Sequence, residues 1–414
     1  MSFDNLGLEP RLLQAVAAMH YTEATPIQHE VIPLVLAGRD VVGCAQTGTG
    51  KTAAFVLPLM QLIRRGPGGP RALVVTPTRE LALQIEQVAK TVGRSTGHRT
   101  AAVYGGVGYE PQRAAISRGA DVVVATPGRL LDIINRGHVD LSRVEVLVLD
   151  EADRMLDQGF WPDVRRIISH LPTDRQTLLF SATMSAQVLN VIGDTLKNPA
   201  RIDVAPPNTP IGAIRQSLYP VSGTQKNDLL VRLIQHHSLE RVLVFTRTKH
   251  RADRVAHTLD RAGVRSEAIH GNRSQSQRVK ALDEFKRGRC RVLVATDIVA
   301  RGIDVDGISH VINFDIPNTP EAYVHRIGRT ARAGKSGAAF TLLAPDEHDT
   351  LRDIEKMLGS AIACEDLAGF VYSSDRVIPR ADRATVAARV QQKPAAGSGQ
   401  RHARRGGRGR AGNR

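Results

Sequence analysis

The chain has 414 residues, 42% of them hydrophobic, and carries 56 Lys and Arg against 41 acids, a formal net charge of +15. That length exceeds one ordinary core and predicts two domains. Three widely spaced cysteines without a CxxC pair argue against a disulfide framework or a cysteine zinc site. No apolar stretch reaches the length of a membrane span, and the opening Met1-Ser2-Phe3-Asp4 lacks the pattern of a signal peptide, so a cytoplasmic protein with reduced thiols is expected.

From the amino terminus, the first chemical signature is Ala45-Gln46-Thr47-Gly48-Thr49-Gly50-Lys51-Thr52. Glycines at this spacing let backbone N–H groups curl around phosphate oxygens at the start of a helix. Lys51 brings charge to the outer phosphates and Thr52 offers a hydroxyl to Mg²⁺. Ala45 stands where the strict pattern has Gly. Short apolar runs follow at Ala72–Val75, Ala101–Tyr104, Asp121–Ala125, Val146–Leu149 and Thr177–Phe180. Several lack polar alternation, as expected of strands buried on both faces of a parallel sheet. Polar clusters come directly after them, where ligands bind in such sheets. Asp150-Glu151 lies 99 positions beyond Lys51. Asp150 is placed to hold Mg²⁺, directly or through water, and Glu151 to orient and deprotonate an attacking water. A small-molecule kinase or a GTPase has the same parts, but the Asn-Lys-x-Asp base-reading element of GTPases is absent.

A proline-rich stretch, Asp203-Val204-Ala205-Pro206-Pro207-Asn208-Thr209-Pro210, predicts a linker. The second half repeats the α/β plan with Val242–Phe245, Arg291–Ala295, His310–Phe314 and Ala338–Leu342, and has no phosphate loop. It carries His325-Arg326-Ile327-Gly328-Arg329-Thr330-Ala331-Arg332 instead, with Arg329 and Arg332 spaced as arginine fingers. Ten Arg and one Lys against one acid give 376–414 a net charge of +10, so a polyanion is the expected partner of the tail. The expected division is 1–205, a linker over 206–213, 214–372, and a disordered basic tail over 373–414.

Together these motifs resemble the DEAD-box RNA helicases over about residues 3–345. The acidic motif reads Asp150-Glu151-Ala152-Asp153, and the pattern is similar to bacterial RhlE-type members. The resemblance implies two tandem RecA-like parallel-sheet domains, ATP and Mg²⁺ as cofactors, and RNA as partner. In Tyr21-Thr22-Glu23-Ala24-Thr25-Pro26-Ile27-Gln28 it assigns Gln28 to the adenine edge, with Phe3 stacking on the ring. The family's usual Gly and Pro are His20 and Ala24 here. It assigns RNA contacts to Pro77-Thr78-Arg79, Gly105-Gly106, Thr126-Pro127-Gly128-Arg129, Thr246, Gln275, Arg278 and Thr296. Ser181 and Thr183 couple hydrolysis to strand separation. Arg301 through Asp304 link the ribose to RNA, with Asp304 on the nucleotide, and His325 belongs to the coupling set. Ala331 replaces a usual Gly. The implied activity is ATP-driven local separation of RNA duplexes or remodelling of RNA–protein complexes, without base readout. Ribosomal precursors or RNA-decay machinery are the expected partners, and a monomer the expected state. An ATP-regulated RNA clamp and a DNA translocase stand as alternatives.

Overall fold

A computed structural model describes residues 2–45, 48–66, 68–204, 214–297, 305, 307–331 and 337–379. Two parallel sheets organise it. The first contains β1 (Val41–Cys44), β2 (Ala72–Val75), β3 (Thr100–Val103), β4 (Val122–Ala125), β5 (Val146–Leu149), β6 (Gln176–Ser181) and β7 (Ala200–Asp203), in the order β3-β4-β2-β5-β6-β1-β7. The second contains β8 (Ile214–Pro220), β9 (Val242–Phe245), β10 (Ser266–Ile269), β11 (Val292–Ala295), β12 (His310–Asn313) and β13 (Gly337–Leu343), in the order β10-β11-β9-β12-β13-β8.

All described strand pairs within these sheets are parallel. β2, β4, β5, β9 and β11 are buried along their whole length, which is why they read as unbroken apolar runs of Val, Leu, Ala and Phe. Alternate residues feed cores on opposite faces. Val74, Val124 and Val148 pack on one face of the first sheet, whereas Leu73, Val123 and Leu147 pack on the other.

The helices of the first domain are α1 (Pro10–Ala18) and α2 (Pro26–Leu36), which precede β1, and α3 (Lys51–Leu62), α4 (Arg79–Thr96), α5 (Tyr109–Ser117), α6 (Pro127–Asn135), α7 (Ala152–Asp157), α8 (Trp161–Ile168) and α9 (Ala186–Thr195). Those of the second are α10 (Lys226–His236), α11 (Lys249–Arg261), α12 (Gln275–Lys286), α13 (Pro320–Ile327) and α14 (His348–Leu358). Because each helix after a parallel strand starts at the strand's carboxyl end, the N-termini of α3 to α6 and of α10 to α12 gather on the polar edge of each sheet. No described helix is long and apolar enough to cross a membrane.

The expected start of the tail at residue 373 is too early. The Ser373 N–H donates to Gln225 Oε1 at 2.8 Å, and Ser222 Oγ donates to Asp375 at 2.8 Å. Arg376 pairs with Asp366 at 2.7 Å and lies 4.1 Å from the centre of the Tyr372 ring. Composition and charge place this arginine in the tail, but a carboxylate and an aromatic face hold it on the fold. The linker 206–213 and the tail beyond 379 lie outside the described residues.

Candidate ATP and RNA sites

A cavity of about 310 Å³ opens at the carboxyl end of the first sheet, lined among others by Tyr21, Gln28, Gly50, Lys51, Asp150 and Glu151. Lys51 is the first residue of α3, is buried, and donates from Nζ to Ala45 O at 2.8 Å across the phosphate loop. Gly50 has φ +92°, and a Cβ there would lie 2.5 Å from Gln28 Nε2. Glycine is therefore required both for the turn and for the approach of the loop to α2. Thr52 lines the same cavity. Gln46 and Thr47, also expected at the nucleotide, lie outside the described residues.

Gln28 is buried and bonded at both ends of its amide. Oε1 accepts from Thr25 N–H at 2.9 Å, and Nε2 donates to Gly50 O at 3.1 Å. It thus ties the start of α2 to the phosphate loop. Phe3, expected to stack on the ring, is instead packed in the core beside Leu6 and Val31. The aromatic side chain on the cavity wall is Tyr21, 38% exposed, which the motif reading passed over although it opens the quoted stretch.

Asp150 follows β5 directly and is buried. Burial pushes its carboxyl up from 3.8 to about 6; Lys51 opposes the rise and Glu151 adds to it. A desolvated carboxylate beside a hydroxyl suits a small hard cation, so Thr52 and Asp150 fit Mg²⁺. Glu151 has φ 56° and ψ 52°, a left-handed conformation costly for a side chain of this size. Its carboxylate accepts from Arg154 Nη1 at 2.8 Å, and both side chains are buried. Asp153 grips the turn after β6: its Oδ2 accepts from Ala182 N–H at 3.1 Å, Thr183 N–H at 3.1 Å and Thr183 Oγ1 at 3.2 Å. Ser181 Oγ closes the same turn by donating to Thr183 O at 2.7 Å. Neither Arg154 nor Asp153 was singled out in the sequence, although Asp153 is the last letter of the acidic motif.

The residues assigned to RNA lie along the rest of that edge. Thr78 caps α4 by accepting from Leu81 N–H, Thr126 is the N-cap residue of α6 with Pro127 after it, and Thr246 is fully buried with its hydroxyl donating to Thr248 O at 3.3 Å. The hydroxyls of Thr78 and Thr246 are thus engaged by the chain's own backbone. What the edge presents is the N-terminal ends of α4, α5, α6, α11 and α12, with exposed Gly128 and half-buried Arg79, Arg129 and Thr296 among them. Helix N-termini offer unpaired N–H groups and positive potential to phosphates. Arg79 lies over Gly105 and Gly106; a Cβ on Gly106 would meet its guanidinium at 2.0 Å. Arg129 Nη1 donates to Val107 O at 3.2 Å, bracing the same loop.

Across the two domains, Glu80 Oε1 pairs with Arg278 at 2.5 Å and accepts from Gln275 Nε2 at 3.2 Å, and all three side chains are buried. In this state Gln275 and Arg278 therefore join the domains and do not face solvent. Burial lowers the affinity of Arg278 for its proton, with Glu80 restoring part of it. In the second domain, Arg326 makes a two-point contact with Asp297 at 2.6 and 2.7 Å and donates to Asn313 and to Asp315 O. This fixes the end of α13, where His325 is half-buried and Arg329 Nε donates to His325 O at 3.3 Å. Arg301, Asp304 and Arg332 lie outside the described residues.

Residues 25–191 match the DEAD/DEAH box helicase family and residues 225–334 the helicase conserved C-terminal domain. The chain is 44% identical over 355 residues to the DEAD-box ATP-dependent RNA helicase CshA of Geobacillus kaustophilus, covering 86% of this chain and 76% of that protein. The chain belongs to the DEAD-box helicase family. The CshA helicase of Bacillus subtilis is also 44% identical, over 356 residues, covering 86% of this chain and 72% of that protein. Among solved structures, S. cerevisiae Dbp5 bound to RNA and ADP BeF3 superposes with a TM-score of 0.79 at 31% identity, covering 94% of this chain and 99% of that one. Mss116p bound to single-stranded RNA and AMP-PNP superposes at 0.79 with 28% identity, covering 89% and 80%. The DEAD-box cavity and the row of helix N-termini described above thus share the fold of proteins solved with a nucleotide analogue and RNA.

Proposed function

We propose that this DEAD-box protein hydrolyses ATP to separate RNA strands locally or to remodel RNA–protein complexes. The observation that carries the reading is the shared sheet edge. The nucleotide cavity occupies the ends of β1 and β5, the phosphate-binding row begins one strand away at β2, and Glu80 in that row is bonded to the second domain. Gln28 and Tyr21 suit the adenine, Lys51 the outer phosphates, and Glu151 the attacking water. Thr52 and Asp150 would hold Mg²⁺, which when bound neutralises charge developing on the phosphates. Arg329, on the second domain, is assigned to the transition-state charge, so turnover depends on domain closure.

Contacts through N–H groups and Arg to phosphates carry no base readout, which supports a broad RNA substrate such as a ribosomal precursor or an RNA-decay assembly. The motif pattern supports an RhlE-like subtype, a cytoplasmic site of action and a monomeric state as parts of the same reading. The test is strand displacement on matched RNA and DNA duplexes, with and without ATP. Displacement of RNA only, and only with hydrolysable ATP, is expected. Equal displacement of DNA would favour a translocase, and ATP-dependent RNA binding without displacement a clamp.

A further inference from the structure

The two sheets match strand for strand: β3-β4-β2-β5-β6-β1 in the first corresponds to β10-β11-β9-β12-β13-β8 in the second. At the place of the ATP cavity the second domain has a cavity of its own, also about 310 Å³. The correspondence reaches single residues. Lys226 opens α10 as Lys51 opens α3, and Gly223-Thr224-Gln225-Lys226-Asn227 stands where the first domain has Gly48-Thr49-Gly50-Lys51-Thr52. Phe314 holds the register of Asp150, its N–H donating to Phe245 O as that of Asp150 donates to Val75 O, and Asp315 stands two residues after β12 as Glu151 stands two after β5, with Lys226 Nζ 4.0 Å away.

The loop itself no longer cradles phosphate. Gln225 has φ −93° where Gly50 has +92°. A carboxylate of the chain takes the anion's place. Glu347 Oε2 accepts from Lys226 Nζ at 2.7 Å and from Ala344 N–H at 3.0 Å, and its Oε1 accepts from Ile316 N–H at 3.2 Å. The inner end of the cavity is therefore closed by a satisfied ion pair. The outer wall is different. Arg247, Arg251 and Arg254 line it, spaced so that they follow one another along one face at the start of α11. Arg247 and Arg251 each give one nitrogen to Glu347 and Asp315 and remain about half exposed, at 44% and 50%. Arg254 is exposed and has no side-chain bond among the described residues. Four cations, counting Lys226, face the three carboxylates of Asp315, Asp346 and Glu347, which leaves a positive excess at the mouth.

The assigned RNA residues of this domain lie at the ends of β10, β11 and β9, and the arginine wall begins at Arg247, the residue after Thr246, toward β12. We propose that Arg254, with Arg251 and Arg247, forms a subsite for a backbone phosphate of RNA extending past Thr246, so that the former nucleotide pocket prolongs the RNA track. The proposal rests on the RNA-binding function above. Arg254→Gln and Arg254→Glu test it without touching the Glu347 and Asp315 ion pairs; Arg251→Lys is the supporting variant.

RNA binding of the full-length protein is measured across salt concentrations, with ATPase kcat at saturating RNA as the control. Loss of one phosphate contact is expected to make the slope of log K against log salt shallower by about 0.7. Affinity at low salt should fall, further for Glu than for Gln, with kcat unchanged. Superimposable curves for wild type and Arg254→Glu would overturn the proposal. Pyrophosphate protecting the wild type against thermal unfolding but not Arg254→Glu, with RNA binding equal, would assign the wall to a free polyphosphate and also overturn it. A wild type that binds no RNA would overturn both this proposal and the function it rests on.

Discussion

At Asp150 the requirements of catalysis and of folding oppose each other. Its carboxyl titrates near 6 in the fold against 3.8 for the free group, chiefly because burial disfavours the charge. Between those values the folded state holds a proton that the unfolded chain has released, so stability falls as pH rises through this window and the loss is complete above it. At 1.36 kcal/mol for each tenfold step in proton affinity, the cost of the ionised group is about 3 kcal/mol at neutral pH. Asp150→Asn keeps the Oδ1 acceptor that receives Glu151 N–H at 3.0 Å and removes the charge. We predict that the nucleotide-free variant gains up to about 3 kcal/mol at neutral pH, or about 2–4 °C in Tm for each kcal/mol in a domain of this size. ATPase activity should be lost at the same time. Scanning calorimetry of both proteins from about pH 5 to pH 8 without nucleotide or metal measures the difference, which should narrow as pH falls. A variant less stable than the parent at neutral pH, or a gap that ignores pH, would refute the reasoning.

Two further outcomes follow from side chains described above. Removing one partner of the buried Glu151–Arg154 pair should cost about 3–5 kcal/mol by urea unfolding, while Arg154→Leu combined with Glu151→Leu should recover part of it; a double-mutant coupling below about 0.5 kcal/mol would mean that the pair does not hold Glu151 in place. A chain ending at residue 379 should keep kcat at saturating RNA but lose about 3 from the salt slope if roughly four tail charges engage RNA; an unchanged slope would make the tail a solubilising segment.

The fold was legible because buried parallel strands are written as continuous apolar runs, and Val146–Leu149 and Ala72–Val75 have the same limits in both readings. Side-chain direction was less legible. Thr78 and Thr246 look like RNA contacts in a motif, yet one hydroxyl caps a helix and the other turns back to Thr248. Sequence names the group but not whether the backbone has already claimed it. Phe3 has the chemistry of a stacking ring, but the first helical turn buries it against Leu6. Two departures from the family pattern acquire a meaning only with coordinates. His20 and Ala331, each standing where a Gly is usual, have φ of 58° and 56°, so both hold a left-handed backbone at a cost of about 1 kcal/mol apiece.

Two paired strands link the residues assigned to RNA with those assigned to ATP. β2 and β5 are neighbours in register, Val75 opposite Leu149, and Asp150 N–H donates to Val75 O at 2.9 Å. The backbone that leads into Thr78 and Arg79, the residues assigned to RNA, is therefore bonded to the backbone that leads into Asp150 and Glu151, the acids assigned to ATP. Glu80 adds the second domain through Arg278, and Asp153 adds the turn after β6 through Thr183. Glu151 pairs with Arg154 in the helix it precedes, so that ion pair lies outside both of these links. The residues assigned to RNA and the two acids thus follow neighbouring strands one spacing apart, about 4.8 Å, with no long chain of contacts in between.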